Sequence, residues 1–215
     1  MNRRSVLVTA FDAFGSERIN PSELAVQMLP SHIQEVQIHR LLLPTVFGES
    51  LQVLKKTIDS LMPDAVLCVG QAGGRAEMTP ERVAINIMDA RIPDNAGQQP
   101  IDEPIAEDGE TAYFSTLPVK AMVLAMRKAG LPAMLSNTAG TYVCNYIMYG
   151  LLHHLQTKEG IRGGFIHVPF IPAQLQQNPG APSLELEKIV RGLEICIETI
   201  IHCKTDIRSP EGAEY

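Results

Sequence analysis

The chain has 215 residues, 45% of them hydrophobic, which suffices for a substantial core, and we expect residues 1–215 to form a single domain. The formal net charge is −6, no Lys/Arg cluster suggests nucleic-acid binding, and no apolar run is long enough to span a membrane. The four cysteines are widely spaced and match neither a zinc site nor a secreted disulfide framework, so we expect a cytoplasmic protein without a metal.

The first half of the chain alternates predicted strands with predicted helices. Residues 5–11 form a nearly continuous apolar run, which is typical of a strand buried on both faces. A helix is predicted to begin near Pro21, because proline suits the first helical turn. A second strand at 36–43 precedes a helix at 48–62, whose leucines and isoleucine recur every three or four residues. Residues 65–69 are a third buried strand.

The second half continues this alternation around a polar, proline-containing segment at 91–116, which is predicted to be irregular. The predicted elements are strands at 81–88, 132–135 and 163–168, and helices at 117–128, from about 144, and at 183–202. This order indicates a three-layer α/β/α sandwich around a largely parallel, twisted sheet. Ligands of such sheets bind at the carboxyl ends of the strands.

Cys144 is the candidate nucleophile because it is predicted to lie at the start of a helix, after a loop of small residues. The first amides of a helix are unpaired and its dipole is positive there, and both effects favour a thiolate. The same amides are able to bind an oxyanion. The alternative is a structural cysteine packed behind a helix start. Cys68, in a strand, and Cys196 and Cys203, in the last helix, are expected to be structural.

His167 is the candidate base, since it lies at the tip of a predicted strand and would project into the same crevice as the candidate thiol. An imidazole there can deprotonate the thiol and later protonate a leaving amine. A third group usually orients such an imidazole. Glu81 is a candidate, and on the residues alone Asp12, Asp89 and Asp94 remain open.

Several motifs spread over nearly the whole chain carry a family resemblance. They are FDAFG at 11–15, NPS at 20–22, GQAGGR at 70–75, ERVAIN at 81–86, RIPDN at 91–95, SNTAGTYVCN at 136–145 and FIHVP at 165–169. In these motifs the chain resembles the pyroglutamyl peptidase type I family. These cysteine exopeptidases remove an N-terminal pyroglutamyl (5-oxoprolyl) residue from peptides through a thioester acyl-enzyme.

The resemblance implies a role for particular residues. The implied catalytic triad is Glu81, Cys144 and His167. The implied acyl pocket contains Phe11, Phe14 and Tyr142, with Asn20 and Gln71 nearby, and Arg91 is implied to lie near the reacting carbonyl and to assist the amide of Cys144 in binding the oxyanion. Many members have phenylalanine where this chain has Tyr142. The family is usually a homotetramer, and no cofactor is implied.

The chemistry of the substrate agrees with this pocket. A pyroglutamyl group is a neutral lactam with one N–H donor, one carbonyl acceptor and an apolar ring, which suits aromatic walls and amide partners without a bare charge. Two rival functions remain at this point. One is a phosphorylase-like α/β enzyme that would bind phosphate at Gly73 and Gly74, although the loop lacks the P-loop lysine and the G-x-G-x-x-G spacing. The other is an inactive pyroglutamyl-binding module.

Overall fold

The computed structural model describes residues 4–211. Its strands are β1 (Ser5–Phe11), β2 (His32–Ile33), β3 (Val36–Leu43), β4 (Ala65–Gln71), β5 (Thr79–Pro80), β6 (Val83–Ile85), β7 (Ala112–Phe114) and β8 (Arg162–Val168). Its helices are α1 (Pro21–Met28), α2 (Glu49–Leu61), α3 (Val119–Lys128), α4 (Val143–Leu155) and α5 (Leu186–His202), with a short 3-10 helix at Pro172–Gln174. None of the helices within residues 4–211 is long and apolar enough to cross a membrane.

The central sheet has the strand order β2-β3-β1-β4-β8-β5. Strands β3, β1, β4 and β8 are parallel, while the two short edge strands β2 and β5 run antiparallel to their neighbours. Helices α1, α3 and α5 pack on one face of the sheet and α2 and α4 on the other, each face with its own apolar cluster. The predicted α/β fold with a largely parallel sheet is confirmed.

Three predicted elements differ from the structure. Residues 132–136, predicted in part as a strand, are extended but join the sheet only through two isolated parallel bridges, Met78 with Ala133 and Glu81 with Ser136. The predicted strand at 81–88 is reduced to β6, because from Asn86 onward the chain turns to hydrogen-bond other loops. The predicted irregular segment 91–116 contains β7, which pairs with β6 to form a separate two-stranded ribbon.

The parallel register brings the carboxyl ends of β1, β4 and β8 to one edge of the sheet. β4 lies between β1 and β8, and Gly70 of β4 is the register partner of His167 of β8. Paired residues of adjacent strands present their side chains on the same face. The loops that follow β1 and β4, and the side chain of His167, therefore meet at this edge.

Candidate active site

Cys144 is the second residue of α4, which begins in an uncapped helical turn. The residue before the helix, Tyr142, makes no side-chain cap. No hydrogen bond to the backbone N–H groups of residues 143–145 is made within residues 4–211. These amides point out of the helix start with its positive dipole end, next to the Cys144 side chain. The turn therefore offers donors at the place where charge would develop during an attack by sulfur.

Asn145 holds this helix start in place. Its side chain is fully buried, accepts a hydrogen bond from the backbone N–H of Ile85 at 3.0 Å, and donates to the carbonyls of Ile85 at 2.9 Å and Ile87 at 3.0 Å. The Asn145 side chain thus makes hydrogen bonds to Ile85 and Ile87 of the kind that a neighbouring strand would make. Sequence reasoning assigned no role to Asn145.

Gly70 makes room for the sulfur beside His167. A Cβ atom at Gly70 would lie 2.9 Å from Sγ of Cys144 and 2.7 Å from the ring of Phe165. Since Gly70 and His167 are register partners on adjacent strands, the sulfur lies on the same sheet face as the imidazole. In the described part of the chain no hydrogen bond joins the Cys144 sulfur to the His167 imidazole.

His167 and Glu81 form a buried pair. Nδ1 of His167 lies 2.7 Å from Oε1 of Glu81, and both side chains are almost completely shielded from solvent. A carboxylate only accepts, so Nδ1–H donates and Nε2 is left as the basic nitrogen. The backbone N–H of Glu81 donates to the carbonyl of Phe165 at 2.9 Å, which fixes the carboxylate against β8.

None of the other three carboxylates is hydrogen-bonded to His167 among residues 4–211. Asp12 accepts hydrogen bonds from Thr45 and Asn95, and Asp94 accepts from the backbone N–H of Phe47 and from two N–H groups in its own loop. The side chain of Asp89 makes no hydrogen bond in this part of the chain. Only Glu81 therefore has the geometry to orient the imidazole.

Arg75 is a member of this cluster that sequence reasoning did not single out. Its guanidinium donates to Oε1 of Glu81 and to the hydroxyl of Thr79, both at 2.6 Å, and to the carbonyl of Thr138 at 3.0 Å. Oε1 of Glu81 thus accepts from both His167 and Arg75, while Oε2 is buried without a partner in the described residues. Arg75 lies in the loop between β4 and β5, and nothing in the local sequence marks it as a partner of Glu81.

The surroundings of Cys144 favour the thiol in the free molecule, which is the opposite direction from the thiolate expected at a helix start. The residue as a whole is half-buried, but burial of its sulfur raises the pKa to about 12. The negative charge of Glu81 raises this pKa further, and the positive charge of Arg75 opposes the rise. Desolvation thus acts in the opposite direction to the helix dipole at this thiol. Burial also raises the pKa of Cys68 to about 12, and the neighbouring Thr9 side chain opposes that rise.

A small cavity of about 220 Å³, including its mouth, opens next to Cys144. Its lining contains all five predicted pocket residues, which are Phe11, Phe14, Asn20, Gln71 and Tyr142, together with Thr45, Val143 and Cys144. Thr45 was not predicted. A wider cleft lies at the opposite edge of the sheet, around Arg4, Asp64 and Arg162, but neither a cysteine nor a histidine lines it.

The cavity walls are aromatic and neutral. The rings of Phe14 and Tyr142 have centroids 6.0 Å apart, and Phe47 packs edge-on against Tyr142 at 5.5 Å. The Tyr142 hydroxyl donates to the carbonyl of Pro93 at 3.2 Å, which ties the pocket to the segment predicted to be irregular. Burial raises the pKa of Tyr142 to about 12, so this hydroxyl is uncharged at neutral pH.

Comparison with known proteins decides between the rival functions. The family model for pyroglutamyl peptidase matches residues 4–203. The chain belongs to this family. It is 53% identical over 209 residues to the pyrrolidone-carboxylate peptidase of Clostridium perfringens, a match that covers 97% of this chain and 98% of that protein. The identity to the Lactobacillus johnsonii pyrrolidone-carboxylate peptidase is 54% over 214 residues, covering 98% and 99%.

Solved structures of this peptidase family agree with the fold. Pyroglutamyl peptidase I from Bacillus amyloliquefaciens superposes with a TM-score of 0.93 at 46% identity, covering 96% of this chain and 99% of that one. A mutant pyrrolidone carboxyl peptidase from Pyrococcus furiosus gives a TM-score of 0.89 at 44% identity, covering 92% and 98%. The predicted activity is thereby confirmed. This member of the family is a cysteine peptidase that removes N-terminal pyroglutamate.

Neither rival function is supported in this pyroglutamyl peptidase. Gly73, which suggested a phosphate loop, is explained by packing, because a Cβ there would overlap the ring of Phe170. The side chain of Arg91 is exposed, makes no hydrogen bond or ion pair within residues 4–211, and does not line the cavity. Its position near the reacting carbonyl stays a prediction.

Proposed function

We propose that Cys144, His167 and Glu81 are the catalytic residues of this peptidase. Nε2 of His167 removes the thiol proton as Sγ of Cys144 attacks the pyroglutamyl carbonyl. The imidazolium then donates that proton to the leaving amine, and the peptide departs from a thioester. His167 next deprotonates a water molecule, which attacks the thioester and releases pyroglutamate, and the proton returns to sulfur.

The 2.7 Å contact between His167 and Glu81, beside the sulfur, is the observation that carries this proposal. The carboxylate fixes the tautomer with hydrogen on Nδ1, and it stabilises the imidazolium that forms during the attack. The raised pKa of Cys144 makes this base necessary, because a proton has to leave the sulfur during each turnover. A preformed ion pair is not required.

The amide of Cys144 is the proposed donor to the oxyanion, and Arg91 assists it. The unpaired amides of the first helical turn support the first assignment. Arg91 is exposed and has no competing partner among residues 4–211, so its side chain can move toward the substrate, which supports the second assignment. Arg91→Lys keeps the charge but changes the reach, so it should lower kcat more than it alters KM.

The pocket is proposed to hold the lactam ring among Phe11, Phe14 and Tyr142, with its polar atoms facing Asn20 and Gln71. The neutral, largely aromatic lining of this pocket suits a small uncharged ring. The test is release of a chromophore from anilides of pyroglutamate, proline and glutamine. Only the pyroglutamyl anilide should be cleaved, because the other two carry an ammonium into a pocket without a charged partner. Comparable cleavage of the prolyl anilide would refute the pocket.

We also propose a cytoplasmic homotetramer, as the resemblance implies. Support for self-association comes from the β6–β7 ribbon, where Ile85 is 38% and Phe114 is 68% exposed on one face. Sedimentation analysis of the purified chain tests the assembly, and Phe114→Lys should shift it toward smaller species if this ribbon is an interface.

A further inference from the structure

Gln174 is a buried amide whose orientation is fixed at both ends. The residue closes the short 3-10 helix and is only 2% exposed. Its Oε1 accepts the backbone N–H of Ile171 at 3.2 Å, and its Nε2 donates to the carboxylate of Glu17 at 2.9 Å. A backbone N–H can only donate and a carboxylate can only accept, so neither contact permits the amide to be reversed.

The orientation of Gln174 determines that of Gln71. Nε2 of Gln174 also donates to Oε1 of Gln71 at 3.0 Å, so Gln71 turns its oxygen away from the cavity that it lines. Its own Nε2 makes no hydrogen bond in the described residues and is not sealed by protein atoms. Gln71 therefore presents an N–H donor to the pocket.

The carboxylate of Glu17 is itself held in place. Glu17 accepts a second hydrogen bond from the side chain of Asn178 at 2.7 Å through its other oxygen. The Glu17 carboxylate therefore fixes the orientation of Gln174, which is 157 residues away in the sequence, and Gln174 fixes the orientation of Gln71.

We propose that Gln174 and Glu17 are positioning residues that fix Gln71 as a hydrogen-bond donor, so that Gln71 binds the carbonyl oxygen of the lactam ring. This inference rests on the proposed pocket. It specifies how the lactam ring is oriented in the pocket: the ring carbonyl faces Gln71, and the ring N–H does not.

Asn20, the second amide side chain of the pocket, also has its oxygen occupied and an N–H left to donate. Oδ1 of Asn20 accepts from the backbone N–H and the hydroxyl of Ser22, and one N–H of Asn20 donates to the carbonyl of Asp12. Its remaining N–H is a donor as well. The ring N–H is left to hydroxyl oxygens such as those of Thr45 and Tyr142, each of which donates its own proton elsewhere and keeps lone pairs.

Exchanging the carboxylate and the amide at positions 17 and 174 should reverse the orientation of the Gln71 side chain without changing the net charge. In the double variant Glu17→Gln/Gln174→Glu, the new carboxylate still accepts from Ile171 and now requires donors from position 17 and from Gln71. Gln71 then turns its Nε2 away from the cavity and its oxygen into it. The probes are two competitive inhibitors, 2-pyrrolidone and cyclopentanone, which share the ring carbonyl and differ in the N–H.

The Ki of both inhibitors should rise about tenfold or more in the swap, since a hydrogen bond worth about 1 kcal/mol is replaced by repulsion between two oxygens. KM for pyroglutamyl anilide should rise with them while kcat changes less than about threefold. Gln177→Glu, an exposed change on the same segment, is the matched control and should leave both Ki values unchanged.

Two further variants separate the possible failures. Gln71→Met should raise both Ki values, and if it does not, the proposed pocket is wrong. If Gln71→Met raises them but the swap does not, positioning by Gln174 is wrong. A swap that tightens 2-pyrrolidone and leaves cyclopentanone unchanged shows that the ring N–H faces Gln71, which also overturns the inference. Should the swap fail to fold, Gln174→Met frees Gln71 to rotate and should weaken both inhibitors about two- to fivefold; no change would refute the proposal.

Discussion

The variant Glu81→Gln should lose only a modest part of its turnover, for a reason specific to this cluster. In a triad whose carboxylate becomes an amide, the NH₂ group can turn toward the imidazole, invert its tautomer and lower kcat by about 10⁴. Here Oε1 of Glu81 accepts from both His167 and Arg75, and Oε2 has no partner in the described residues. The new amide therefore has to place its oxygen where Oε1 lies, because an NH₂ there would face the donors of Arg75.

The expected loss follows from the charge alone. A hydrogen bond to a charged group contributes about 1.5–3 kcal/mol and a neutral one about 0.5–1.5 kcal/mol, so the imidazolium loses about 1–2 kcal/mol of stabilisation. This corresponds to a fall in kcat of about 5- to 30-fold. KM should change little, since Glu81 does not line the pocket. The assay is steady-state cleavage of pyroglutamyl anilide, with the melting temperature as a check on folding.

The double variant Glu81→Gln/Arg75→Met tests the reasoning. Without the guanidinium the amide is free to turn its NH₂ toward His167, so kcat should fall much further, toward the 10⁴-fold of an inverted tautomer. Arg75→Met alone is the matched control and should cost far less, because Glu81 still orients the imidazole. A loss of about 10⁴-fold in Glu81→Gln alone would refute the role of Arg75, and wild-type turnover would remove Glu81 from the site.

Three further predictions concern the thiols and their surroundings. Cys144→Ala should abolish turnover, whereas Cys68→Ala, Cys196→Ala and Cys203→Ala should each retain it; an active Cys144→Ala protein would exclude the thioester mechanism. The rate of Cys144 alkylation by iodoacetamide should rise about tenfold per pH unit from about pH 7 to pH 10, because only the thiolate reacts and the raised pKa is not reached; a plateau near neutral pH would show a preformed thiolate. Gly70→Ala should lower kcat strongly in a folded protein, since its Cβ would lie 2.9 Å from Sγ, and unchanged kinetics would contradict this placement of the sulfur.

The main elements of the fold were predictable because their patterns are local. The apolar run of β1 and the helical repeat of α2 were placed to within about one residue, since each pattern reports burial by its own element. Residues 132–136 misled the prediction, because an apolar extended run does not reveal whether it has a full strand partner. Its partner, around Met78 and Glu81, is short, and two isolated bridges result.

The residues of the site also differ in whether the local sequence indicates their role. Cys144 and His167 could be proposed from their places at a helix start and a strand end, and the family resemblance supplied Glu81. Arg75 and Gln174 carry no such local signal. Their roles exist only because the fold brings Arg75 to Glu81 and Gln174 to Glu17, so a sequence pattern alone gave no reason to prefer them over other polar loop residues.

The raised pKa of Cys144 illustrates how the surroundings of a residue can oppose a rule based on its local position. The helix start does favour a thiolate, but enclosure of the sulfur beside Gly70 and the negative charge of Glu81 favour the thiol, and the pKa rises to about 12. The carboxylate therefore acts in two opposite directions: it disfavours a resting thiolate and stabilises the imidazolium once the proton has moved. In the proposed mechanism the sulfur gives up its proton as a substrate carbonyl takes the developing charge toward the helix amides. A thiol with a raised pKa reacts slowly with adventitious electrophiles, so the burial that calls for a base in the proposed mechanism would also protect Cys144 between turnovers.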